Sequence, residues 1–161
     1  MKFFHLSDLH IGLKLMNHDL SKDQEYILDK VVEAAKERRP DALIIAGDIY
    51  DKSIPSAEAV ALFDKFITDL AQALPQMEIM LISGNHDSAH RVNVFRSLLG
   101  SLHLHMIGLP PMQPDEYIEK VTLSDHYGPV NFYLLPFVKP SMARLLVAEE
   151  GERPLSYEET Y

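Results

Sequence analysis

Three hydrophobic runs each end abruptly in a polar motif, and that repeated junction restricts the fold more than any other feature of the chain. Phe3-Phe4-His5-Leu6 leads into Asp8-Leu9-His10, Ala42-Leu43-Ile44-Ile45 into Gly47-Asp48-Ile49-Tyr50-Asp51, and Ile79-Met80-Leu81-Ile82 into Gly84-Asn85-His86-Asp87. Short apolar runs bounded by turn residues read as buried strands, and the amphipathic stretches between them as helices, which together make parallel βαβ units. An open α/β sheet binds its ligands outside the carboxyl ends of its strands. Three polar clusters at three such ends, about 40 residues apart in the chain, are therefore expected to converge. Asp, His and Asn are donors of the kind that hold Mn, Fe, Mg or Zn, so the point of convergence reads as one metal site.

The intervening elements follow from periodicity and capping. Ser21-Lys22-Asp23-Gln24 fits a capping box and predicts a helix to about Arg39, with Ile27, Leu28, Val31, Val32 and Ala35 on one face and Pro40 closing it. A second helix is predicted after Pro55-Ser56. It carries Ala59, Val60, Leu62, Phe63, Phe66, Ile67, Leu70 and Leu74, an arc wider than one sheet contact requires. Residues 91 to 100 read as a shorter helix with Val94, Phe95, Leu98 and Leu99, stopped by Gly100. Beyond it, 102 to 107, 117 to 123 and 130 to 135 read as strands. The last two alternate with period two around Asp125, Gly128 and Pro129, which predicts an antiparallel pair. A final helix is predicted from Pro140, and the stretch 156 to 161 reads as charged and helical.

At 161 residues the chain is expected to be one domain, burying roughly 70% of the surface of its unfolded form. Zero cysteines excludes disulfides, Cys-ligated zinc and thiol nucleophiles. Met1-Lys2-Phe3 enters a strand with no signal peptide, and no apolar run approaches the roughly 18 residues of a membrane span, so a cytoplasmic protein is expected.

The order Asp-x-His, Gly-Asp-x-x-Asp, Gly-Asn-His-Asp resembles the calcineurin-like metallophosphoesterase superfamily. Within it the likeness is closest to the SbcD family of nuclease subunits. That likeness is carried by Leu6-Ser7-Asp8-Leu9-His10-Ile11-Gly12, by Ala46-Gly47-Asp48-Ile49-Tyr50-Asp51 with Ile54-Pro55-Ser56 behind it, and by Ser83-Gly84-Asn85-His86-Asp87-Ser88. It extends more weakly through Leu134-Leu135-Pro136-Phe137 to about residue 145. The resemblance implies an α/β fold of the αββα sandwich type, of which residues 1–161 are the N-terminal part with an incomplete second sheet. It implies hydrolysis of DNA phosphodiester bonds in repair and recombination, as an exonuclease and endonuclease, by two divalent ions. Mn²⁺ is the expected ion, with Mg²⁺, Fe and Zn as alternatives. The implied partners are DNA, an SbcC-like ATPase of the SMC family, and a second copy of the chain packed through helices 56–74 and 91–100.

Residue by residue, the resemblance makes Asp8 and His10 ligands of the first metal, Asp48 a bridge, and Asn85 a ligand of the second through its amide oxygen. His86 is implied to sit over the scissile phosphate and Asp87 to orient it. His18, in the loop from Lys14 to Ser21 beside the first motif, Asp51 and Ser88 are further candidates for substrate contact. Asp51 is acidic where archaeal relatives tend to carry histidine. Gly12, Gly47 and Gly84 fit tight turns where a side chain would crowd the site.

Singly, each motif is explained as readily by turn and capping chemistry. Their joint occurrence in this order, each at a strand's carboxyl end, is what favours a site. His103-Leu104-His105 resembles a ligand pair but is expected to be structural, as are His90 and His126 on exposed loops; the methionines read as core filler. The family also completes its second metal position with Gly-His and Gly-His-x-His, and none of the eight histidines follows a glycine. The second position, left with Asp48 and Asn85, is expected to be incomplete. With 15 Lys+Arg against 24 Asp+Glu, a net charge of -9 opposes a polyanion, so DNA affinity is expected to come from a local patch, from metals, or from partners. Two other functions fit: action on another phosphoester, such as a cyclic nucleotide, nucleotide or phosphoprotein, and a non-catalytic dimerisation or binding module. Ile54-Pro55-Ser56 and the Asp-Gln-Glu-Tyr start of the first helix favour the nuclease branch.

Overall fold

The computed structural model describes residues 1–94, 96–113, 115–142, 156 and 158. Along the chain run β1 (Phe3–Leu6), a small hairpin of β2 (Lys14–Leu15) and β3 (His18–Asp19), α1 (Ser21–Arg38), β4 (Ala42–Ala46), α2 (Ala57–Ala73) and β5 (Glu78–Ile82). Then come α3 (Ala89–Val92), α4 (Arg96–Leu99), a 3₁₀ turn (Gly100–Leu102), β6 (Leu104–Ile107), β7 (Glu119–Asp125) and β8 (Gly128–Leu134). Strands β1, β4, β5 and β6 form one parallel sheet in that order, with Phe4, Leu43, Ile79 and Leu104 in register. β7 and β8 form the expected antiparallel pair.

Alternation along the strands sorts their residues into two cores. Leu43, Ile45, Ile79 and Leu81 face Leu28, Val32 and Ala35 of α1 and Phe63, Phe66, Ile67 and Leu70 of α2. Ala42, Met80 and Ile107 point the other way, onto Val121 and Leu134 of the β7–β8 pair. Both faces of the parallel sheet are thus covered, which is why its strands read as continuous apolar runs instead of alternating ones. Each fully buried Leu, Ile or Phe contributes about 1.5–3 kcal/mol. The layers are helix, sheet and sheet, consistent with the N-terminal portion of a metallophosphoesterase sandwich.

The wide apolar arc of α2 has an intrachain explanation, since the helix packs against α1 as well as the sheet. Lys65 of α2 reaches Asp29 of α1 at 2.7 Å and Asp69 at 3.2 Å; exposed pairs of this kind add under about 1 kcal/mol. Val60 remains 45% exposed. Among the described residues no helix is long and apolar enough to cross a membrane.

Three expectations about local structure change. The 91 to 100 helix is broken into α3, α4 and the 3₁₀ turn. Asn93 leaves the helical run and its side chain accepts the Gly108 N–H at 3.2 Å, an alternative to helix that asparagine readily takes. Phe95, assigned to that helix, lies outside the described residues. The Ser21 capping box does not form: Leu20 occupies the N-cap without a side-chain bond, and the Asp19 carboxylate accepts both the amide (2.8 Å) and the hydroxyl of Ser21. Gln24 is thereby released for another use, described below. The 14 to 21 segment, read as loop, contains the β2–β3 hairpin. Of the last helix only the first turn, at 140–142, lies among the described residues, and the 156 to 161 stretch falls almost wholly outside them.

His103 and His105 sit at the start of β6, opposite the edge that carries the polar motifs. Both bond Glu78, His103 Nδ1 at 2.6 Å and His105 Nε2 at 2.9 Å. Burial opposes the charge on Glu78, but the two imidazoles outweigh it and hold the carboxyl below its ordinary range.

Candidate metal centre

Beyond their strands, the segments after β1 and β4 keep running side by side. Asp8 N–H donates to the Gly47 carbonyl (3.2 Å), His10 N–H to Asp48 (3.0 Å) and Ile11 N–H to Ile49 (2.9 Å), and Asp51 N–H returns to Ile11 (3.2 Å). Within this ladder Asp8, His10 and Asp48 adopt left-handed backbone, with φ of 54°, 43° and 49°. Non-glycine residues held there cost about 1–3 kcal/mol each and persist only where the surroundings over-determine them, which is most often at functional sites.

Those turns gather the side chains. His10 Nε2 lies 3.8 Å from Asp8 Oδ1 and 3.9 Å from Asp48 Oδ2, and His10 Nδ1 lies 4.0 Å from Asp51 Oδ1. His86 joins from the third motif: donor atoms of His10, Asp48 and His86 all lie within 4.8 Å of one another. The two imidazoles meet edge to face with centroids 4.8 Å apart. Separations near 3.8 Å are too long for hydrogen bonds and suit donors arranged about 2.0–2.2 Å from a shared cation. Among the described residues no Lys or Arg nitrogen comes within 4.0 Å of Asp8, Asp48 or Asp51. The donor set fits a divalent ion.

Asp48 is 11% exposed, and its two oxygens are differentiated. Oδ1 accepts the His86 N–H at 2.9 Å, while Oδ2 faces His10. Gly84 makes this approach possible, since a Cβ there would fall 2.1 Å from Asp48 Oδ1. His86 Nδ1 lies 2.9 Å from the Asp51 carbonyl oxygen. A carbonyl can only accept, so Nδ1 carries the hydrogen, and Nε2 is left for the site. That hydrogen bond, with the charges of Asp48, Asp51 and Asp87, raises the His86 pKa above its ordinary value.

Asp87 does not bond His86. Its buried carboxylate accepts the N–H groups of Ile49 (3.1 Å), Tyr50 (3.0 Å) and Gly84 (2.8 Å), so it joins the β4 and β5 loops and acts on its neighbour by position and charge. Asn85 is exposed and lines a cleft with Asp51, Lys52, Ser53, Ile54 and His86. His18 is exposed on β3 and does not line that cleft. Ser88 faces a separate, apolar cleft with Tyr50, Pro55, Val60 and Phe63. The Tyr50 phenol, pushed up to about 12 by burial and by Asp87 and Asp64, stays protonated.

Gln24 is the positioning residue that sequence reasoning missed. From the first turn of α1 it accepts the Gly12 N–H (2.9 Å) and donates to the carbonyls of Leu9 (3.2 Å) and His10 (2.8 Å). Its signal was present in the Asp-Gln-Glu-Tyr start of that helix, which carried part of the family likeness without a stated role.

A parallel α/β sheet with carboxylate and imidazole donors gathered off its carboxyl edge is the frame of a metal-dependent phosphoesterase. The chain belongs to the calcineurin-like phosphoesterase family, whose sequence profile matches residues 1–152. It is 36% identical over 137 residues to SbcD, a component of the SbcCD nuclease of Staphylococcus saprophyticus subsp. saprophyticus, a match covering 85% of this chain and 34% of that protein. The chain therefore spans about a third of the length of this curated relative.

Proposed function

We propose that residues 1–161 are the N-terminal part of the phosphoesterase domain of an SbcD-type nuclease, acting on DNA phosphodiester bonds as an exonuclease and endonuclease in repair and recombination. The observation that carries this reading is the convergence of Asp8, His10, Asp48 and His86, with no lysine or arginine nitrogen within 4.0 Å of the acids among the described residues. Asp8, His10 and Asp48 would hold one divalent ion, and Asp48 with Asn85 the other; Mn²⁺ is the ion proposed. When bound, such ions lower the pKa of a water and neutralise the phosphoryl oxygens. His86 then has a defined task. With Nδ1–H held by the Asp51 carbonyl, Nε2 is oriented to hydrogen-bond the phosphate or give its proton to the departing oxygen. Asp51 sets the ring through its carbonyl and adds negative charge beside the ions.

The relative's name describes one component of a nuclease complex. The proposal extends to this chain an SbcC-like SMC-family ATPase as partner and a cytoplasmic location. It also includes a homodimer through residues 56–74 and 91–100, supported by Val60, 45% exposed and lining the apolar cleft of Pro55, Phe63, Val92 and Met106, and by Val94, 50% exposed. Light scattering at tens of micromolar is expected to give twice the chain mass, with Val60→Asp returning it to a monomer; a monomeric parent would reject the interface.

The catalytic reading is tested by Mn²⁺-dependent hydrolysis of bis-p-nitrophenyl phosphate and of a short DNA duplex. A longer gene product carrying the further histidines is expected to turn over both. The 161-residue chain alone is expected to bind metal weakly and hydrolyse little, because Asp48 and Asn85 are the only donors proposed for the second ion. A longer product inert toward both substrates would leave the non-catalytic module as the function. Hydrolysis of the small diester without the duplex would point to another phosphoester.

A further inference from the structure

Among the described residues Asp48, Ser83 and Asp87 are the buried polar side chains, and only Ser83 has no part yet in the candidate centre. Its hydroxyl donates to the Gly108 carbonyl at 2.9 Å, and the Gly108 N–H donates to Asn93 Oδ1 at 3.2 Å. Both backbone groups of Gly108 are thus taken by side chains from the two ends of the third motif: Ser83 precedes Gly84, and Asn93 caps the short α3 that follows Ser88. Ala89, the first residue of α3, is pressed onto the same point, since a Cβ at Gly108 would fall 1.9 Å from the Ala89 carbonyl oxygen. The loop carrying Asn85, His86 and Asp87 therefore leaves and returns to one residue just past the end of β6. We infer that Ser83 and Asn93 are positioning residues which, through Gly108, fix both ends of this loop and so set where Asn85 stands in the centre. The inference deepens the proposed metal-dependent function and rests on it.

Asn85 is the donor that most needs such a frame. Asp87 accepts three amides, and His86 is held at its N–H by Asp48 and at Nδ1 by the Asp51 carbonyl. Asn85 is exposed, and its side chain forms no hydrogen bond among the described residues. A donor with no partner of its own is pre-organised only by the backbone that carries it. That backbone is pinned at its start, where the Ser83 N–H donates to Ile107 (3.0 Å) and the Ser83 carbonyl accepts the Phe137 N–H (2.9 Å). Its far end is closed by the Asn93 N–H on the Ala89 carbonyl at 3.0 Å. Gly108 is buried, so removing either side chain leaves a buried backbone group without its partner, and the loop end shifts until that group finds another.

The test uses the longer gene product and three readouts: amide hydrogen exchange of a peptide spanning 84–88, Mn²⁺ affinity by calorimetry, and turnover of bis-p-nitrophenyl phosphate. Ser83→Ala and Asn93→Ala are each expected to speed exchange in 84–88 and leave α1 unchanged. Each is expected to weaken the looser of the two Mn²⁺ affinities about 10- to 100-fold, the usual cost of removing a group that orients a metal donor. Turnover should fall in step at limiting Mn²⁺ and return at saturating Mn²⁺, with KM for the diester unchanged. Asn93→Asp keeps an acceptor for the Gly108 N–H and is expected to restore all three. Faster exchange with unchanged Mn²⁺ affinity would make the two side chains supports of the fold alone, and unchanged exchange would show that the loop does not depend on Gly108; either result overturns the inference. Should Ser83→Ala fail to fold, the two Asn93 variants decide. A parent that binds no Mn²⁺ rejects the proposed metal centre and the inference with it, whereas a parent whose Mn²⁺ affinity ignores Asn93 rejects the inference alone.

Discussion

Asp48→Ala is expected to abolish divalent-metal binding and the proposed phosphodiester hydrolysis together, whereas His86→Ala is expected to leave metal affinity nearly intact and to lower turnover about 10²- to 10⁴-fold. The asymmetry follows from what each side chain touches. Asp48 places Oδ2 toward His10 while Oδ1 holds the His86 amide, so its removal deletes a donor and frees the third motif at once. His86 has its Nδ1 fixed by a backbone carbonyl and is exposed, the arrangement of a group that meets substrate. Its donor atom nevertheless lies within 4.8 Å of those of His10 and Asp48, which keeps the alternative sharp. The measurement is Mn²⁺ titration beside hydrolysis of bis-p-nitrophenyl phosphate by the longer gene product. Equal loss of Mn²⁺ affinity in the two variants would make His86 a ligand and remove it from the role of proton donor.

Asp87→Ala is expected to destabilise the fold by about 3 kcal/mol or more. Three backbone N–H groups, from Ile49, Tyr50 and Gly84, share its buried carboxylate, and leaving a buried donor unsatisfied costs about 1–3 kcal/mol. The three are not independent, so the sum is less than three times the largest figure. A domain of this size shifts its Tm by about 2–4 °C per kcal/mol, so thermal unfolding should move down by roughly 10 °C. Asp87→Asn keeps one acceptor oxygen and should fall between. An Asp87→Ala variant that unfolds with the parent would mean that water replaces the carboxylate, and that the carboxylate does not hold the two loops together.

The parallel sheet was legible because hydrophobic runs covered on both faces leave a distinctive sequence signature, and the strands at 42–46 and 78–82 carry it plainly. The meeting of Asp8, His10 and Asp48 followed from a topological rule that needs no side-chain detail. What could not be read were choices made by tertiary contacts. Asp19 displaced the Ser21 cap because the β2–β3 hairpin, too short to show a period, delivers it there. Asn93 broke a helix because Gly108 offered its side chain a bond across the fold. Asp87 was expected, from the family resemblance, to orient His86, yet its carboxylate was drawn to three amides on loops that only the folded chain assembles.

Gln24 joins the first motif to α1, which packs on α2. Because one side chain holds the Gly12 amide and the carbonyls of Leu9 and His10, the loop bearing Asp8 and His10 shares the local opening free energy of the helical layer instead of fraying as a surface loop does. Amide hydrogen exchange at Gly12 should accordingly be as slow as in the middle of α1. Substitutions at the α1–α2 seam are therefore expected to loosen the candidate metal centre without altering a single one of its residues.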